Sequence, residues 1–196
     1  MSISPDGTLL AAASDDSTAQ LWDITDPRVP SALGAAALDG GLALFAAFSP
    51  DSRTMAVAHS SPNVVTLWDI SDPGTPTQLG EPVAGPALQI YSLAFTPDGR
   101  TLAVGSADRA VRLLDVSEPD SPAWLGDPLL GPAGTVFSVS VNPDGTLLAA
   151  ASADGTLRAW DISDPANPVP RATLTAGEAL YSVGFTPDGS RLIAGG

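Results

Sequence analysis

The chain has 196 residues, with 8 basic residues that are all Arg against 22 acidic ones, a net charge of −14, no Cys and a single histidine, His59. A hydrophobic share of 44% at this length suits a globular chain with a sizeable core. Without Lys or Cys there is no P-loop lysine, Schiff-base amine, thiolate nucleophile or disulfide, one His cannot make a zinc triad, and the acidic balance argues against nucleic acid and anionic membrane surfaces.

Residues 1–8 lack the basic and apolar regions of a signal peptide, and the longest apolar runs, such as Leu42–Phe48, fall far short of a membrane span. A cytoplasmic chain with neutral or basic partners, no membrane partner and no cofactor is expected.

Along the chain a Pro-Asp pair recurs at Pro5, Pro50, Pro97, Pro143 and Pro187, at intervals of 45, 47, 46 and 44 residues. Gly follows in every case except the second, where Ser52 stands. Pro presets φ, Asp bonds back to the backbone and Gly supplies φ > 0, so each is read as a strand-to-strand turn, with Ser52 strained. Seventeen or eighteen residues on come Trp22-Asp23, Trp68-Asp69, Leu114-Asp115 and Trp160-Asp161. Each unit then carries Asp-Pro or Glu-Pro with a second Pro three residues later, at Pro27, Pro73, Pro119 and Pro165.

Between these markers lie short apolar or alternating runs, for example 90–95, 101–104, 111–116 and 125–130, which read as four strands per unit. Pro or Gly interrupts nearly every window long enough for a helix, so the protein is expected to be almost entirely β. The units span about 1–38, 42–84, 89–131 and 135–175, with a partial fifth at 179–196.

Four-stranded units of this period with Trp-Asp in register resemble the WD-repeat (WD40) β-propeller family, over the whole chain. The resemblance implies one radial blade per unit: four blades and part of a fifth, an open arc rather than a closed ring. Seven blades would need roughly 320 residues, so missing blades from a longer chain are expected first and self-assembly of copies second. It also implies a buried network of a strand-B Ser or Thr, a strand-C Trp, an Asp of the B–C turn and a His before strand A. Ser14, Ser106 and Ser152 stand at the Ser place and Asp16, Asp108 and Asp154 at the Asp place. His59 takes the Ser place in the second unit, and Gly85-Pro86 and Gly131-Pro132 stand where the family has Gly-His. The four-member network therefore cannot form; the indoles of Trp22, Trp68 and Trp160 are left to seek acceptors, with Ser14 and Ser152 as candidates.

No catalytic residue and no metal ligand is assigned. The Asp residues recur at one turn in each unit, as turn-formers do and catalytic pairs need not. The binding candidate is the position six residues before the turn Pro, occupied by Leu44, Tyr91, Phe137 and Tyr181, with Arg109 in a B–C turn. By the resemblance this position opens on the top face beside the channel, where aromatic and Arg side chains suit a protein or peptide partner. The implied function is a non-catalytic scaffold or sensor segment of a bacterial signalling protein; a carboxylate-based hydrolase or lyase and a self-assembling module are the alternatives.

Overall fold

The computed structural model describes residues 1–37 and 41–196, and every regular element among them is a β-strand. The first sheet holds β1 (Ser2–Ile3), β2 (Leu9–Ala13), β3 (Thr18–Asp23) and β4 (Ser31–Ala37). In the second are β5 (Leu42–Phe48), β6 (Thr54–Ser60), β7 (Val64–Asp69) and β8 (Thr77–Ala84). The third has β9 (Ile90–Phe95), β10 (Thr101–Ser106), β11 (Val111–Asp115) and β12 (Ala123–Leu129). The fourth has β13 (Val136–Val141), β14 (Leu147–Ser152), β15 (Thr156–Asp161) and β16 (Val169–Thr175), and β17 (Ser182–Phe185) pairs with β18 (Leu192–Gly195) in a two-stranded fifth. Each of the four four-stranded sheets is an antiparallel meander in chain order, a propeller blade with strands A to D, the fifth supplies two strands of another, and no sheet closes on itself among the described residues. The expected limit of the first repeat at residue 38 lies outside the described residues.

Contacts divide the chain into two compact units: Met1–Gly85 with Glu118–Pro122, and Pro86–Ser117 with Ala123–Gly196. In the first unit, Leu9, Ala11, Ala19 and Leu21 of one blade share a core with Met55, Val57, Trp68 and Ile70 of the next. The second unit shows why the strands read as wholly apolar. Leu148 and Ala150 of β14 pack with Ala103, Val111 and Leu113, whereas the alternate residues Ala149 and Ala151 pack with Leu180 and Val183. Strand B is thus buried on both faces, and each large side chain so placed is worth roughly 1.5–3 kcal/mol.

Strand register follows the sequence markers. Leu10 faces Trp22, Met55 faces Trp68, Leu102 faces Leu114 and Leu148 faces Trp160, so Leu114 occupies the Trp place of the third blade. Strand D meets the C–D turn of the following blade through a small residue: a Cβ on Gly34 would lie 2.3 Å from Pro76, and one on Gly126 would lie 2.8 Å from the Ala166 carbonyl. That close approach is why the proline-rich turn and this glycine repeat together.

The A–B turn is closed by a residue that the Pro-Asp reading overlooks, the one before the proline. Ser4, Ser49, Thr96, Asn142 and Thr186 each accept, through the side chain, the backbone N–H five residues on, at 2.8–3.1 Å. Four of these hydroxyls also donate to the turn Asp. The turn glycines Gly7, Gly99, Gly145 and Gly189 have φ of 74°, 72°, 77° and 68°, and Ser52 is held at 58° in the same turn.

Left-handed backbone costs an L-residue roughly 1–2 kcal/mol, while glycine gains freedom in the unfolded chain and Ser52 Oγ accepts only a long 3.4 Å bond from Asp6 N. Ser52→Gly is therefore expected to stabilise by roughly 0.5–1 kcal/mol, seen as a higher urea midpoint; an unchanged or lower midpoint contradicts strain at this turn.

Candidate functional site

The ring position is built by β-bulges. In the strand A to strand B pairing, Ala43 faces His59 and Phe45 faces Ala58, leaving Leu44 as the extra residue. Tyr91 is the extra residue between Ile90 and Ser92, and Phe137 between Val136 and Ser138. A bulge opposes two residues to one and re-aims the second side chain. The residue before each extra one is core, since Ala43, Ile90 and Val136 are buried, while Leu44, Tyr91 and Phe137 stay half-buried.

Within the second unit three of these positions form a row. The Tyr91 and Phe137 rings meet edge to face with centroids 5.3 Å apart at 72°, and Phe137 and Tyr181 lie 5.0 Å apart at 37°. Tyr181 stands just before β17 and is 59% exposed, and Tyr91 Oη donates to Gln89 Oε1 at 3.0 Å. Leu44 belongs to the first unit.

The spacing of the row is fixed by the residue after each aromatic. Ser92 Oγ accepts the N–H of Val139 in the next blade at 3.1 Å, and Ser138 Oγ accepts that of Val183 at 3.2 Å. This serine was legible as Tyr-Ser, Phe-Ser and Tyr-Ser at 91, 137 and 181, but its partner, an N–H of the next blade, was not. Arg109 is exposed in the B–C turn, whose Ala107 N donates to Gln89 O and so lies beside the start of β9. Its φ is 69°, where the fourth blade uses Gly155 at 75°.

The B–C turns place the remaining candidates. Ser14, Ser106 and Ser152 hydroxyls accept the N–H of Asp16, Asp108 and Asp154 at 3.2–3.3 Å, and Ser106 also donates to Leu88 O. Asp108 and Asp154 accept the N–H of Ala87 and Ala133, the residues after the loop prolines, so backbone supplies the donor at these turns. Hydrogen bonds from Thr18 hold the Asp16 carboxyl below its usual range. For Asp154 burial pulls upward, but bonds from Thr156 and Ala133 prevail and lower it to about 2.

The expected acceptors for the indoles are corrected. Neither Ser14 nor Ser152 accepts from tryptophan, because the tryptophans face Leu10 and Leu148, four residues away along strand B. Trp68 Nε1 instead donates to Thr66 Oγ1 at 2.8 Å, and Thr66 Oγ1 lies 2.9 Å from Nε2 of His59. His59 is fully buried, its Nδ1 has no partner among the described residues, and burial pushes the imidazole down to about 4. Thr66 sits two residues before the tryptophan; no signal in the single unit marked it.

No group of three or more His, Cys, Asp or Glu is placed to hold a metal ion among the described residues. The WD domain, G-beta repeat family matches residues 1–23, 82–115 and 128–161, and each match ends at the Asp closing strand C. The unmatched stretch 24–81 contains the blade in which Ser52 and His59 depart from the repeat. No curated protein matches the chain.

Two outcomes follow for stability. Thr66→Val removes the acceptor of a buried indole and the partner of His59, and is expected to destabilise by about 1–3 kcal/mol; an unchanged melting temperature contradicts the network. His59 is protonated more readily unfolded than folded, so stability is full above its ordinary pKa of 6.5 and falls as pH drops toward about 4. Asp161 and Asp188, held at about 2 by hydrogen bonds from Ser163 and Thr186 among others, add a second loss only below the ordinary carboxylate value of 3.8. Urea midpoints measured against pH are expected to lose the upper step alone in His59→Ser; retention of that step assigns it elsewhere.

Proposed function

We propose that the chain is a non-catalytic scaffold or sensor segment that binds a protein or peptide along the row Tyr91–Phe137–Tyr181. The matched family is generally one of protein-interaction scaffolds, which supports the class but names no partner. The observation that carries the reading is the row itself, three rings in mutual contact on successive blades, Tyr91 and Phe137 half-buried at bulges and Tyr181 exposed just before β17. Large, stiff rings give contact area at little entropic cost, and aromatic and Arg side chains dominate binding hot spots. Arg109, displayed beside the row at the cost of a positive φ, fits the same role.

The recurrence of carboxylates at the turns favours a structural over a catalytic role for them, since most hold their own hydrogen-bond donors two residues on. An Arg-only basic set with abundant Ala, Gly and Pro fits a bacterial, cytoplasmic signalling protein.

Random peptides displayed on phage and selected against the full chain test the reading. The triple variant Tyr91→Ala, Phe137→Ala, Tyr181→Ala is expected to keep its β-sheet circular dichroism and to lose at least about tenfold in affinity for the selected peptides. Equal affinity of variant and parent places binding elsewhere.

A further inference from the structure

Two residues before the strand-C marker, the four blades carry Gln20, Thr66, Arg112 and Arg158. Three of the four have a hydrogen-bond or ion-pair partner within their own blade. The Gln20 amide donates to the carbonyls of Leu21, Leu33 and Gly34, Thr66 joins Trp68 and His59, and Arg112 pairs with Asp108 at 2.8 Å. Arg158 breaks the pattern. Its only hydrogen bond is from Nη1 to Thr173 Oγ1 at 3.2 Å, its Nε is buried with no acceptor, and among the described residues no carboxylate lies at ion-pair distance.

The other arginines make the exception plain. Arg28 and Arg171 pair with Asp26 and Asp161, Arg53 and Arg100 lie in the field of Asp51 and Asp98, and Arg109 and Arg191 are exposed. In a chain of net charge −14 a half-buried guanidinium without a counter-charge is the unusual case. Asp154, the counterpart of Asp108, accepts instead from the Thr156 hydroxyl and from the N–H groups of Thr156 and Ala133.

The chain also makes room for the group. The guanidinium lies over Gly131, where a Cβ would come within 2.9 Å of Nη1, 3.1 Å of Cζ and 3.2 Å of Nε, and Gly131 has φ of 140°. Residues 130–135 lead directly into β13, whose second residue is Phe137, and Arg158, the third residue of β15, faces Ala150 of β14, which faces Val139 of β13. A half-buried guanidinium without a counter-charge, with a hydroxyl on one nitrogen and a glycine beneath it, is suited to a carboxylate.

We propose that Arg158, with Thr173 and Gly131, is a carboxylate-binding site at the rim of the fourth blade, and that it anchors an acidic side chain or C-terminal carboxylate of the peptide bound along the aromatic row. The second clause rests on the reading above; the first does not. A partner basic enough to approach an acidic protein thus carries one acidic anchor.

Nitrogen-15 spectra of the arginine Nε–H groups of the full chain test it, since 8 arginines and no lysine give a simple spectrum. The Arg158 signal is assigned by its loss in Arg158→Gln and, should that variant not fold, in Arg158→Lys. N-acetylglycine supplies a terminal carboxylate, N-acetylaspartate methylamide a side-chain one, and sodium chloride at equal ionic strength the control. The site is expected to show a saturable shift of the Arg158 signal with at least one carboxylate and none with chloride. Response to one probe alone identifies the source of the carboxylate. A shift that does not saturate, that chloride reproduces, or that exposed Arg28 and Arg109 share equally overturns the site. Because neither probe has an apolar group, their binding reports on Arg158 and leaves the phage selection to judge the aromatic row.

Discussion

Burial of strand B on both faces is the constraint from which the rest follows. A strand in a one-sided sheet alternates apolar and polar; β14 does not, because each face meets another layer of side chains. Leu148 and Ala150 look one way and Ala149 and Ala151 the other. Small residues dominate these positions because two layers must approach closely, and the polar groups admitted there are those with a partner at hand, such as Ser106, Ser152 and Thr66.

That same layering creates the candidate site. If strand A paired regularly, the residue after Ile90 or Val136 would follow simple alternation with its neighbours. The bulge breaks the alternation and sets the Tyr91 and Phe137 rings at the end of the sheet, while Ser92 and Ser138 each accept an N–H from the next blade. Ring spacing is thus a consequence of how blades are hooked to one another. The second blade has Leu44 at the ring place and Phe45 at the serine place.

Much of this was legible in the sequence because turns impose residue types. Pro-Asp-Gly located every A–B turn, the Trp-Asp pairs fixed strand C, and Ser52 was correctly read as left-handed backbone. The aromatic positions were found by counting from the turn, although the bulge that exposes them depends on pairing between strands and leaves no mark in one strand. Network partners were not legible for a similar reason. Counting put Ser14 and Ser152 near the tryptophans, but strand register sets them four residues apart, and Thr66 became the acceptor in one blade only. Arg158 gave no sign of being unpaired, since Asp154 stands at the spacing that satisfies Arg112 in the previous blade.

Native-state hydrogen exchange, resolved by residue, is the most direct measure of whether two-sided burial holds the blades. The account predicts that amides of β6, β10 and β14, covered on both faces, exchange most slowly, and that those of β16, exposed along its whole length, exchange fastest among the paired strands. Protection of β16 equal to that of β14 would show that backbone pairing alone, and not the packing of one sheet on the next, carries the structure.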